Sequence, residues 1–245
     1  MLIANWKSNG SKAMAIDWFK NFFDKYLFGN DETFIGVAPP FVYIELINSL
    51  KKSYINIGLQ DIDPFSGART GSISANMAID LGCSFSMIGH SERREFFKES
   101  NDQIKEKIIN LDKKIIPILC VGETEKENIA GKTKHVIQNQ LEIIKNHELH
   151  DLFTVAYEPV WAIGSGQTPQ AEEINEIHKF IKDVVQSIST NNLVPDVLYG
   201  GSVTDLNAMS FFEQDFVDGA LIGGASLDGS IFADIVNIFN GTKNK

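Results

Sequence analysis

Short apolar, β-branched runs alternate along this chain with longer segments whose apolar positions recur every three or four residues. Residues 2–4, 33–38, 55–59, 85–88, 115–120, 153–156, 197–199 and 217–222 read as strands. Their near-continuous apolar character suits strands buried on both faces of a parallel sheet. Amphipathic spacing falls between them, at 13–26, 41–51, 104–110, 133–145, 171–189 and 204–210, and predicts helices that lay one apolar stripe on the sheet. A strand with its helical material recurs about every thirty residues, the size of a βα repeat. No Pro/Gly/Ser-rich linker or low-complexity tract interrupts the alternation. The pattern predicts an α/β fold. Its even eight-fold repetition favours one closed (β/α)8 barrel over residues 1–245, although pattern alone leaves a doubly wound open sheet possible. Pro117 is the misfit, because it removes a backbone donor from the middle of an expected central strand.

Composition narrows the partners more than the fold. The 245 residues, 43% hydrophobic and 22% charged, can build a large core. A net charge of −10 and the lack of a basic stripe argue against nucleic acid, and require any anion site to be locally positive. Cys83 and Cys120 form neither a CxxC pair nor a metal-like spacing, and fit free buried thiols in a reducing compartment. The opening Met1-Leu2-Ile3-Ala4-Asn5-Trp6-Lys7 lacks the basic and long apolar regions of a signal peptide. No run approaches the roughly 18 apolar residues of a membrane span. A cytoplasmic protein is expected.

A barrel of this kind works at the C-terminal ends of its strands, so those ends test the assignment. Glu158 follows the run 153–156, and Pro159 stops the strand for want of a donor. Apolar Tyr157, Val160, Trp161 and Ile163 are expected to raise the Glu158 carboxyl pKa toward that of a general base. With Pro159 at one end and Gly164 and Gly166 at the other, the following segment has the ends of a hinged lid. The first strand ends at Asn5-Trp6-Lys7 and the fourth at Gly89-His90-Ser91-Glu92-Arg93-Arg94. The seventh runs into Gly200-Gly201-Ser202-Val203 and the eighth into Gly223-Gly224-Ala225-Ser226. Glycine pairs ahead of helix starts supply free N–H groups for an anion, and phosphate sites after strands seven and eight recur in this fold.

Each of these residues has a plainer reading. A Glu-Pro can be a turn with a solvated carboxylate, Lys7 a surface charge, and His90 the cap of a helix opening at Ser91. Their convergence, without a metal cluster, favours chemistry: proton transfer beside a carbonyl on a small phosphorylated substrate. Glu158 would take the carbon-bound proton, while Lys7 and His90 face the negative charge developing on oxygen. Other motifs fail. Gly131-Lys132-Thr133 lacks the first glycine of a P-loop, since position 126 is Lys126, and the histidines of His147-Glu148-Leu149-His150 are one residue too close for HExxH. Gly164-Ser165-Gly166 has Pro169 where a dinucleotide fingerprint needs glycine, and neither Ser91 nor Ser202 sits in a nucleophile elbow.

The chain resembles the triosephosphate isomerase family. The resemblance rests on Asn5-Trp6-Lys7, Ile88-Gly89-His90-Ser91-Glu92-Arg93-Arg94, Leu119-Cys120-Val121-Gly122-Glu123-Thr124, residues 156–166, Leu198-Tyr199-Gly200-Gly201-Ser202-Val203 and Gly223-Gly224-Ala225-Ser226-Leu227. These stretches fall in the family's order and cover essentially the whole chain. The resemblance implies a TIM (β/α)8 barrel that interconverts dihydroxyacetone phosphate and D-glyceraldehyde 3-phosphate in glycolysis and gluconeogenesis. It implies Glu158 as the base, His90 as a neutral electrophile and Lys7 as the cation that binds substrate and stabilises the enediolate. Asn5 and Glu92 would support them, and the N–H groups of Gly164, Ser202, Gly223 and Gly224 would hold the phosphate. The resemblance implies no metal or organic cofactor. Two rivals remain: a barrel that binds a phosphorylated ligand without turning it over, and another phosphate-using barrel enzyme. Schiff-base chemistry would want a lysine on a later strand, where Glu123 and Glu158 stand instead.

The family's interdigitating third loop corresponds to residues 65–72, and the resemblance implies a homodimer in which Thr70 reaches Asn5 and Glu92 of the neighbouring subunit. Arg69 stands where an aromatic is usual, Ser72 where a Glu could pair with Arg93 across the interface, and Ser8 where a bulkier residue is common. A dimer that dissociates more readily than usual is expected. In the lid, Ser165 and Gln167 replace a Thr and a Lys. Restoring both is expected to change turnover by less than about tenfold, on the order of 1.4 kcal/mol in barrier.

Overall fold

The computed structural model describes residues 1–27, 33–163 and 168–243. Eight strands form a closed, wholly parallel barrel in sequence order. They are β1 (Leu2–Asn5), β2 (Ile35–Ala38), β3 (Ile55–Leu59), β4 (Cys83–Ile88), β5 (Ile116–Val121), β6 (Thr154–Tyr157), β7 (Asp196–Tyr199) and β8 (Gly219–Ile222). β8 closes on β1 with Leu2 opposite Ala220. Every expected strand is present, with ends moved by one or two residues, and the closed barrel replaces the open-sheet alternative.

Alternation within the strands builds two cores. Ile3, Phe85, Met87, Ile118, Ala156 and Leu198 fill the barrel interior, while Leu2, Ala4, Ile88, Leu119, Val155 and Val197 face the helices. Pro117 fits because it is the second residue of β5, and pairing with β6 begins only at Ile118 opposite Thr154. It lies at the strand's start instead of its middle, where a missing donor is tolerated.

The outer ring comprises α1 (Lys12–Lys25), α2 (Ile44–Leu50), α3 (Ala75–Asp80), α4 (Ser91–Phe96), α5 (Asn101–Ile109), α6 (Glu125–Ile129), α7 (Thr133–Leu141), α8 (Ala171–Ile188), α9 (Ala208–Phe212) and α10 (Gly229–Lys243). Caps fix several starts: Ser11 accepts from the Met14 N–H ahead of α1, and Ser100 with Gln103 forms a capping box ahead of α5. The helix expected at 204–210 begins later, at Ala208. Asn207 instead folds the preceding loop, its Oδ1 accepting the Thr204 N–H and its Nδ2 donating to the Ser202 carbonyl. No helix among the described residues is long and apolar enough to cross a membrane.

Candidate active site

Glu158 stands just past β6, held by its backbone from both sides. Its N–H donates to the Val121 carbonyl at 2.7 Å, the Val160 N–H to the Glu123 carbonyl at 3.1 Å, and the Gly200 N–H to the Tyr157 carbonyl at 2.7 Å. Only glycine fits at 122, where a Cβ would lie 1.7 Å from the Glu158 carbonyl oxygen. The Glu158 side chain is buried. Its Oε1 lies 2.9 Å from His90 Nε2, and its Oε2 accepts the Ser91 N–H at 2.9 Å.

His90 precedes α4 and caps it, its Nδ1 accepting the Glu92 N–H at 3.2 Å. A ring nitrogen that accepts carries no proton, so whenever the ring is neutral its one proton sits on Nε2, the nitrogen that faces Glu158. The capping reading and the chemical reading of His90 therefore hold together.

These contacts correct the pKa expected for Glu158. Burial pushes the carboxyl up, but the charge and hydrogen bond of His90, with the Ser91 donors, outweigh it and hold Glu158 below its ordinary value. His90 moves the other way. Burial opposes its charged form, yet the charge and hydrogen bond of Glu158, helped by Glu92, raise it against the pull of Lys7. Here Glu158 is an ionised carboxylate locked to the imidazole. Were the carboxylate to swing away, burial and Lys7 would both favour the neutral ring, opposed by Glu92 alone.

Lys7 is held as firmly. The Asn5 carboxamide oxygen accepts its N–H at 2.9 Å, and Gln60 Nε2 donates to the Lys7 and Ala38 carbonyls at 2.7 and 2.9 Å. Lys7 adopts φ +50°, a left-handed conformation rare for a residue with a side chain. Its Nζ pairs with Glu92 Oε1 at 2.6 Å.

Asn5, Lys7, His90, Glu158, Ser202, Gly223 and Gly224 line one cavity of about 380 Å³ at the C-terminal mouth of the barrel. The backbone N–H groups of Ser202, Gly223 and Gly224 find no acceptor among the described residues. The neighbouring carbonyls are engaged: Asn207 holds that of Ser202, while the Ser226 N–H and hydroxyl hold that of Gly223 at 2.9 and 2.7 Å. Free N–H groups beside occupied carbonyls form an anion-binding array. Glu92 lies outside the cavity lining and acts on it through Lys7. Gly164, Ser165, Gly166 and Gln167 lie outside the described residues.

Thr70 is exposed on the third loop and does not line this cavity. Gly71 and Ser72 border a second cavity of about 350 Å³ between that loop and α4–α5. There Arg93 pairs with Asp61 at 2.8 Å and Lys107 pairs with both Asp61 and Glu99, so these charges are spent on one another within the chain. Arg69 likewise lies 3.5 Å from Asp63 and over the Phe65 ring.

Sequence reasoning missed the roles of two residues. Gln60 had no signal. Glu123 had one, an acid two residues past the fully buried strand β5. It is fully buried and accepts from the Tyr157 hydroxyl at 3.1 and 3.2 Å, Trp161 Nε1 at 2.8 Å and Asn128 Nδ2 at 3.1 Å.

Comparison with known proteins agrees with this geometry. The family model described as triosephosphate isomerase matches residues 1–239. The triosephosphate isomerase of Erwinia tasmaniensis is 41% identical over 243 residues, covering 96% of this chain and 95% of that protein. Those of Escherichia coli K12 and Shigella boydii serotype 18 are each 40% identical over 250 residues, covering 99% of this chain and 98% of theirs. A match of this length, on a closed eight-stranded barrel, shows that the chain belongs to the triosephosphate isomerase family.

Proposed function

We propose that Glu158, His90 and Lys7 carry out, in this chain, the interconversion of dihydroxyacetone phosphate and D-glyceraldehyde 3-phosphate through an enediolate. The aldose–ketose isomerase activity follows from family membership; the roles of the residues are our reading. The substrate phosphate sits on the N–H groups of Ser202, Gly223 and Gly224, joined by Gly164. Glu158 leaves His90 and Ser91, takes a proton from one carbon and returns it to its neighbour. His90 Nε2–H moves toward the carbonyl oxygen, and the Lys7 ammonium faces the charge that builds there. Asn5 and Glu92 keep Lys7 in place.

One observation carries the reading: a buried carboxylate–imidazole pair, an ammonium and an array of free N–H groups share one cavity. A barrel that merely held a phosphorylated ligand would need the array but not the pair. A coupled isomerase assay of the wild type beside Glu158→Gln tests it. Turnover in the variant should fall by about a hundred- to ten-thousand-fold. Equal turnover in the two proteins would remove Glu158 from the chemistry.

Residues 1–245 act as a single barrel domain in this reading, and two copies associate through the 65–72 loop, with Thr70 approaching the partner's site. Exposed Phe41 and Phe97 border the groove beside Gly71 and Ser72, which supports an interface there. Arg93 and Arg69 have partners in their own chain, which supports a weak one. Sedimentation should find dimer at micromolar and monomer at nanomolar concentration; a dimer intact at nanomolar concentration would refute the weak interface. Two buried free cysteines support a reducing, cytoplasmic setting.

A further inference from the structure

Trp18 lies outside the substrate cavity, yet its indole reaches the turn that lines it. It sits on the inner face of α1, 2% exposed, and donates Nε1–H to the Ser226 carbonyl at 2.8 Å. Four rings confine the indole. It stacks on Phe22 with centroids 5.2 Å apart and planes 4° from parallel. Phe19 and Trp6 meet it edge-on at 4.9 and 5.6 Å, and Phe232 lies tilted at 5.7 Å. With four rings around the indole, the direction of its N–H is set by the core as a whole, not by any single ring or by the turn.

The turn itself is organised by Ser226. Its N–H and hydroxyl both hold the Gly223 carbonyl. With Trp18 holding the Ser226 carbonyl, the oxygens of residues 223 and 226 are both engaged inside the protein. The N–H groups of Gly223 and Gly224 stay without an acceptor among the described residues. A carbonyl turned into the cavity would repel an anion, whereas a free N–H binds one. α1 also braces the chain just past the turn, since a Cβ at Gly229 would lie 2.1 Å from the Trp18 carbonyl oxygen. Trp6, which meets the indole edge-on, is the residue before Lys7.

We infer that Trp18 is a positioning residue for the phosphate-binding turn: its indole N–H holds Ser226 so that Gly223 and Gly224 present their N–H groups to the substrate phosphate. The inference rests on the proposed role of that turn. A packing role alone would be met by any ring of similar shape, so the test must isolate the N–H.

Steady-state kinetics and inhibition by inorganic phosphate would be measured for the wild type, Trp18→Phe and Phe22→Leu. Trp18→Phe keeps a ring and loses the donor; Phe22→Leu disturbs the same aromatic cluster and keeps the donor. Trp18→Phe should raise KM and the phosphate inhibition constant together, about three- to tenfold, with kcat within about twofold. Phe22→Leu should leave both constants near wild type. A Trp18→Phe enzyme with both constants unchanged overturns the inference, as does an equal rise in Phe22→Leu. Wild-type enzyme insensitive to phosphate would bring down the cradle reading and the inference with it. Should Trp18→Phe not fold, the Trp18 indole N–H resonance of the wild type decides. It should shift saturably with phosphate at the inhibition constant, and a resonance that stays still overturns the inference.

Discussion

Two buried glutamates follow adjacent barrel strands, and they keep different company. Glu123, after β5, collects neutral donors: a phenol, an indole and a carboxamide. Burial, followed by the charge of Glu123, pushes the Tyr157 phenol far above its ordinary value, so it stays a donor. No donor in that set titrates near neutrality, and none lines the cavity at the barrel mouth. Glu158, after β6, faces the cavity and is held by an imidazole whose own charge it controls. Burial and residue type are the same in both. In the proposed mechanism the partners decide which carboxylate is an anchor and which is a reagent.

The strongest way to break that comparison is to remove each carboxylate in turn. Glu158→Gln, nearly inactive in the coupled assay, should keep a melting temperature within a few degrees of wild type. Glu123→Ala should do the reverse, stranding three donors at a cost of about 3 kcal/mol. For a chain of this size that is a fall of about 6–12 °C, readable by calorimetry. A stable Glu123→Ala protein would show that water satisfies those donors as well as the carboxylate does.

A smaller effect sharpens the same contrast through pH. His90 lowers the Glu158 carboxyl, so His90→Gln should move the acid limb of the kcat/KM profile to higher pH. The linked stability has a defined window. The Glu158 contribution is present above its ordinary value of 4.5 and is lost as pH falls through its lowered value in the folded protein. The His90 contribution is full below 6.5 and is lost as pH rises through its raised value. The melting-temperature difference between wild type and His90→Gln should therefore be widest between 4.5 and 6.5. A difference flat across pH would mean that the pair is not charged in the folded protein.

How far the sequence displayed this site depends on the kind of interaction. Strand ends were visible, because short β-branched apolar runs bounded by turn residues read as strands buried on both faces, and Glu158, His90, Lys7 and the glycine pairs follow from them. The state of Glu158 was not visible. Its apolar neighbours in sequence predicted a raised carboxyl, but in space the carboxylate meets the charge of His90, 68 positions away, and that contact reverses the sign. Gln60 escaped for a similar reason: it braces the Lys7 backbone across two strands, and no local pattern marks an amide for that task. The Pro117 misfit arose from a boundary placed too early by one residue. The start of β5–β6 pairing depends on β6 and cannot be read in β5 alone.

The smallest test works on one donor. Trp161→Phe removes the indole bond to Glu123 and leaves the Tyr157 and Asn128 bonds in place, so it should cost about 1 kcal/mol. That cost mixes the lost bond with lost packing, because Trp161 is half-buried. A double-mutant cycle separates the two: in the Glu123→Ala background the indole has no carboxylate to meet, and only the packing loss remains. A coupling of about 1 kcal/mol between the two sites would make Glu123 an anchor that holds its donors one by one. A coupling near zero would mean that the indole is held by its surroundings. The difference between the two glutamates would then lie in the cavity that Glu158 faces and not in the donors that Glu123 collects.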